Sequence, residues 1–178
     1  MKIKSKLFLM IAGIALIVSC KKEETPTLPP STPFVLNGTT YNPRGMSFVD
    51  FGGGYMDVED TAVSSDGNKI LIIDMAFNLT TPKPTTGSYA IFTDSTSLVS
   101  ANHVQFYFYE MTRSNKILNS YDILPPGTGT LDVTSLSDRI SLKFGSQSVR
   151  GITYDTNTSV SNGVYFYTNI SAATLTEQ

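Results

Sequence analysis

The densest run of groups able to do chemistry is "VDFGGGYMDVED", residues 49–60, which sets Asp50, Asp57, Glu59 and Asp60 around three consecutive glycines. Carboxylates this close offer two kinds of chemistry. Calcium takes several hard oxygens on a bendable loop, and Gly52 to Gly54 would let a loop bend. The spacing does not follow the D-x-D-x-D-G order of a calcium loop, however, and a strand would send alternate carboxylates to opposite faces. A solvated loop is the expectation for this stretch. Paired carboxylates also cleave glycosidic bonds, one as acid and one as nucleophile or base. Asp57 and Asp60, set against Asp74 or Glu110, are the candidates, and nothing in their spacing places two of them across a cleft.

Other catalytic arrangements find less to work with. The "DFG" at Asp50–Gly52 would hold magnesium in a kinase only beside a lysine-bearing strand and an "HRD" loop, and the chain has neither. His103 is the single histidine. One chain therefore has no histidine cluster for zinc. A Ser-His-Asp triad would need His103 and a nucleophile in a strained G-x-S-x-G turn, which is missing. Gly145-Ser146-Gln147 reads as an ordinary turn, and His103 as the surface start of a strand. No catalytic residue, metal or cofactor is expected.

Aromatic residues supply the remaining signal. In "QFYFYE", strand alternation sends Phe106 and Phe108 one way and Tyr107 and Tyr109 the other. "VYFYT" repeats the arrangement, with Val164 and Phe166 on one face and Tyr165 and Tyr167 opposite. The phenylalanines belong in a core. Outward tyrosines can stack on the C–H faces of sugar rings while their hydroxyls bond to sugar hydroxyls. Were the two strands neighbours, four tyrosines would form one platform. The plainer alternative is a second, partly buried face, since tyrosine is common in strands.

The elements that would position these residues are extended throughout. "FVLNGTTYN", residues 34–42, places Asn-Gly between two arms, a strong hairpin signal. Asp66-Gly67 makes a second turn and leads into the apolar run "KILIIDMAFNL". "TTPKPTTG" is a loop by its prolines, and "PPGTG" at 125–129 another break. "SYAIFT", "HVQFYFYEMT", "TLDVTSL", "RISLKFG", "SVRGITYD" and "GVYFYTNI" read as strands between turn residues. No segment sustains a helical apolar repeat. The expectation is an all-β domain over residues 34–178, an antiparallel β-sandwich or alternatively a β-barrel, of about 8–10 strands.

The N-terminus gives an address. Lys2, Lys4 and Lys6 precede an apolar run from Leu7 to Val18, the n- and h-regions of a secretory signal. Ser19 then precedes Cys20, the only cysteine. This segment resembles the lipobox of bacterial lipoproteins, which implies cleavage of residues 1–19 and acylation of Cys20. A plain signal peptide with an incidental cysteine, or an uncleaved anchor, is the alternative. Acyl chains contribute about 0.8 kcal/mol per buried CH2, so two or three make a permanent anchor. Lys22, Glu23 and Glu24 resemble the surface-export tag of Bacteroidetes-type lipoproteins, implying the outer membrane and its outer face, with the periplasmic face as the alternative. "DTA" at Asp60–Ala62 and "DST" at Asp94–Thr96 resemble the O-glycosylation motif of the same bacteria.

Composition narrows the partners. Cleavage removes three lysines and leaves ten basic side chains against fifteen acidic, a net of −5. With no basic patch, nucleic acid is not an expected partner. Residues 20–33, rich in Pro and Thr, read as a tether between lipid and domain. "GTLDVTSLSDRISLKFG", "SVRG" and "VSNGVYFY", with "LNGTTYN" and "TTGSYAIF", resemble small lipoprotein domains of unknown function from Bacteroidetes. That resemblance implies a fold and carries no activity. The leading expectation is a non-catalytic, membrane-anchored envelope lipoprotein that binds an envelope protein or other component. A carbohydrate-binding accessory using Tyr107, Tyr109, Tyr165 and Tyr167 is the second reading, and a small hydrolase the third.

Overall fold

The computed structural model describes residues 26–79, 81–92, 101–124, 129–158 and 160–178. Cys20, Lys22, Glu23, Glu24 and the Asp94–Thr96 motif lie outside them. Among the described residues there is no helix, and twelve strands join one sheet. They are β1 (Phe34–Leu36), β2 (Thr39–Gly52), β3 (Tyr55–Ser64), β4 (Lys69–Asn78), β5 (Gly87–Phe92) and β6 (His103–Thr112). Then follow β7 (Ile117–Ile123), β8 (Thr130–Leu136), β9 (Arg139–Phe144), β10 (Gln147–Tyr154), β11 (Ser161–Ile170) and β12 (Ala173–Thr176).

The sheet closes on itself through β6. Its order is β12-β9-β8-β5-β6-β4-β3-β2-β1-β11-β10-β7, and β7 pairs back onto β6. Eight strands, β6-β4-β3-β2-β1-β11-β10-β7, therefore form a ring, and β5-β8-β9-β12 branch from it. The branch is possible because β6 divides one of its edges. His103–Gln105 pair in parallel with β5, while Tyr107–Met111 pair antiparallel with β7. All other pairings are antiparallel. The branch folds over the ring's inner face: Phe144 meets Phe106 edge-on at 5.5 Å, and Tyr89 meets Phe77 at 5.2 Å. Lys83 fastens that contact, lying 4.5 Å above the Phe48 ring and donating to Glu177 at 2.5 Å. The all-β expectation holds, and the arrangement combines the layering of a sandwich with a barrel-like ring.

Local chemistry explains the strands. Asn37 (φ 48°) and Gly38 (φ 72°) make the turn between β1 and β2, the left-handed pair that a two-residue hairpin demands. Pro43 lies where β2 shifts register against β3, a position where a missing amide costs least. Alternation along β3 and β4 buries Met56, and also Val58, Ala62, Leu71, Ile73, Met75 and Phe77, which join Phe106 and Phe108 in one core. Among the described residues every member of the core lies between Phe34 and Leu175. The chain ahead of β1 joins in: Thr32 N donates to Thr174 O at 2.8 Å, and Thr176 N to Ser31 Oγ at 2.9 Å.

Two expectations change. The acidic stretch is not a solvated loop but the end of β2, a glycine turn and most of β3. The turn demands the glycines, since Gly52, Gly53 and Gly54 all have φ between 65° and 86°. The Asp60–Ala62 tripeptide consequently sits in mid-strand with Asp60 and Ala62 turned into the core and Thr61 half-buried outside. The sequence also hid β7 and β12. "ILNSYDI" mixes Asn119, Ser120 and Asp122 with its apolar residues and is mostly half-buried, and four-residue β12 is too short to show a pattern.

Candidate binding face

The outer face of the ring collects the aromatic residues. On β6, Phe106 and Phe108 are buried, and Tyr107 and Tyr109 stand half-buried on the other side. Cross-strand register extends each tyrosine into a row. One row runs Glu59, Asp74, Tyr107, Asp122, Arg150, Tyr167 over β3, β4, β6, β7, β10 and β11. The next runs Thr61, Ile72, Tyr109, Ser120, Ile152, Tyr165 over the same strands.

All four tyrosines thus share one face, as alternation predicts, but β6 and β11 are not neighbours. With β7 and β10 between them, the pairs stand about 14 Å apart at ordinary strand spacing. Asp122 and Arg150 occupy the gap. Arg150 Nη2 donates to Asp122 Oδ2 at 3.1 Å, and its guanidinium carbon sits 4.8 Å from the centre of the Tyr165 ring. The two ends differ in access: Tyr165 and Tyr167 are 55% and 70% exposed, far more than Tyr107 and Tyr109. Val164, expected on the same face as Phe166, is 63% exposed, and its neighbours from Asn162 to Tyr165 at that end of β11 are exposed too. Phe166 does pack inward, its ring covering Gly151 and meeting Tyr121 edge-on at 5.7 Å.

Electrostatics divide the face. Burial pushes Asp74 up to about 7, helped by the charges of Asp57 and Glu59. Burial and then Glu59 raise Asp57 as well. Tyr107 and Tyr109 are raised by burial and by the surrounding acids, Asp122 and Asp74 among them. The β3–β4 end is therefore an acidic patch, and the β10–β11 end presents two accessible rings beside a guanidinium–carboxylate pair. Flat rings next to fixed donors and acceptors suit a polyhydroxylated ligand.

The other candidate groups are scattered. Asp60 and Glu110 point into the interior, fully sealed from solvent. Glu110 is the acceptor at the centre of a buried network. Tyr41 donates to it at 2.5 Å, Lys69 at 2.9 Å and Tyr121 at 3.2 Å, with Asn119 as a fourth donor. Burial pushes Glu110 up, but Lys69, Tyr41 and Asn119 together hold it below its ordinary value. Burial and Glu110 push Tyr41 and Tyr121 up. Asp57 and Asp74 lie on the outer face, so Asp57–Glu110 and Asp60–Asp74 stand on opposite sides of the sheet. Asp50 rims a separate cleft of about 490 Å³ at the β2–β3 turn, where its Oδ1 accepts from Gly52 N at 2.7 Å. No three His, Cys, Asp or Glu side chains among the described residues are placed to hold a metal ion. His103 begins β6, as expected, with Nδ1 3.0 Å from Ala101 O and its ring edge-on to Phe92.

Arg150 and Asp122 are the charged members of the face that the sequence did not flag. Alternation within "SVRGITYD" puts Arg150 on the side opposite Val149 and Gly151, but only register shows what it meets. Compared with protein-family models, curated proteins and solved structures, the chain matches none.

Proposed function

We propose that this chain is a non-catalytic binding module of the bacterial envelope, held at the outer membrane by a lipid on Cys20. Its ligand is a glycan, taken on the β10–β11 end of the outer face. The observation that carries this reading is the grouping of Tyr165 and Tyr167 beside the Arg150–Asp122 pair. Stacking on an accessible ring contributes through the sugar's C–H face, and the ion pair offers donors and acceptors to ring hydroxyls. Tyr107 and Tyr109, half-buried, frame the far side of the strip rather than serve as the contact surface. The tether and the Lys22–Glu24 tag fit presentation to the exterior.

Affinity electrophoresis of residues 26–178 against a panel of polysaccharides tests the proposal. Retardation by one of them should disappear in Tyr165→Ala with Tyr167→Ala, since each lost stacking contact removes about 1 kcal/mol. Retardation that survives in the folded double variant would refute the face, and no retardation by any polysaccharide would refute the ligand class.

A further inference from the structure

β1 covers β2 only over Thr39–Tyr41 and β11 only at Ile170, so both strands have an open flank; that of β2 carries Pro43, Arg44 and Asp50, and that of β11 carries no such guard. β11 pairs with β10 from Ile170 back to Tyr165 and beyond, but on its other side it meets only β1, at Ile170 opposite Leu36. Across that flank Ser171 N donates to Val35 O at 2.9 Å. Backbone groups alternate sides along a strand, so Tyr165, Tyr167 and Asn169 direct their N–H and C=O groups the same way as Ser171. No strand among the described residues lies there to pair with Tyr165 or Tyr167. Side chains are open as well, with Val164, Tyr165 and Tyr167 all more than half exposed. Sheet edges are ordinarily guarded by charge or proline, and residues 161–170 contain neither.

We infer that this edge pairs with the same edge of a second copy of the chain, antiparallel, about a two-fold axis at Phe166. The stretch Val164-Tyr165-Phe166-Tyr167-Thr168 is close to a palindrome about that residue, as an isologous contact favours. Tyr165 stands opposite the partner's Tyr167, and Tyr167 opposite the partner's Tyr165. These are the residues with open backbone groups, so both pairs are hydrogen-bonded ones, exchanging two bonds each. Phe166, whose groups point to Gly151 on β10, falls at the position between them that needs no bonds.

The neighbouring registers are blocked. An axis at Tyr167 sets the partner's Val164, within the regular part of the strand, on the place opposite Ile170 that Leu36 already holds. The axis at Phe166 brings only Asn162 there, beyond the turn of the backbone at Gly163. An axis at Tyr165 sets Tyr167 against the partner's Gly163, whose φ of 73° departs from strand geometry. Charge does not oppose the contact, because the strand is uncharged and Arg150, the nearest ion on that face, is already paired with Asp122. The pairing also continues the existing sheet, running β10-β11 directly into the partner's equivalent strands. It joins four exposed tyrosines into the platform that one chain splits in two. It stands independently of which ligand that platform takes.

Sedimentation equilibrium of residues 26–178 over a series reaching high micromolar concentration is the test. The wild-type mass should rise from monomer to twice that value. Tyr165→Lys with Tyr167→Lys places like charges directly opposite across the axis and should weaken association by roughly a hundredfold. Phe51→Lys, at the distant β2–β3 turn, should leave it unchanged. Should the lysine variant lose its native circular dichroism, Val164→Cys with Thr168→Cys decides. These positions face each other across the axis at about 4.5 Å between Cα atoms, close enough for a disulfide between copies. Within one chain they are roughly 13 Å apart, so oxidation should yield a covalent dimer only. A wild-type protein that stays monomeric overturns the inference and leaves the edge to a strand of another protein. A dimer that withstands the edge lysines, or cysteines that fail to link, overturns it too.

Discussion

Asp60 is the most exacting place to test the physical reading of this fold. It lies at the middle of β3 with no solvent exposure, opposite Met46 on one side and Ile73 on the other. Neither carboxyl oxygen has a hydrogen-bond partner among the described residues. Burial alone pushes it from 3.8 up to about 7. The folded protein therefore keeps this proton up to about pH 7, while the unfolded chain releases it near pH 4. Between those limits the folded state binds more protons, so stability falls as pH rises. The stability contributed by the neutral carboxyl is fully present below the unfolded value and lost on passing through about pH 7. Three pH units correspond to ~4 kcal/mol, a large part of a domain's ordinary 5–15 kcal/mol or so. Asp60→Asn keeps the shape and removes the ionisation. Urea unfolding of both proteins from pH 4 to pH 8 should give nearly equal stabilities at the acid end. At pH 8 the variant should be the more stable by about 4 kcal/mol. Asp74, which titrates in the same window and in the same direction, is common to both and cancels in the difference. A difference that stays flat from pH 4 to pH 8 would refute the argument, for it would mean that the carboxylate is solvated or paired.

Glu110→Ala leaves Lys69, Tyr41, Tyr121 and Asn119 facing a void, and should cost about 3–5 kcal/mol by urea denaturation. A loss under 1 kcal/mol or so would show that the network is not intact. Gly151→Ala should cost about 1–3 kcal/mol, because the new methyl would stand within the Phe166 ring. Gly45→Ala, with nothing within 4 Å and ordinary φ, is the control and should change the melting temperature little.

Much of this protein was legible in one dimension because its determinants are local. Asn37, Gly38 and Gly67 specify turns through a positive φ that few other residues accept, and period-two alternation in "QFYFYE" decides which side chains go inward before any partner strand is known. The all-β class and the outward set of Tyr107, Tyr109, Tyr165 and Tyr167 followed from those facts. Where locality failed, so did the reading. "VDFGGGYMDVED" looks solvated because four carboxylates and three glycines make up most of it, yet β2 and β4 flank β3 and turn Asp60 inward, a burial that no residue of the stretch announces. Nor does alternation say which strands are neighbours. Only long-range pairing set β7 and β10 between the two tyrosine strands, delivered Asp122 and Arg150 into the gap, and left one flank of β11 open. A strand's period is written in its own residues, while its neighbours are chosen by hydrogen bonds to segments far away in the chain.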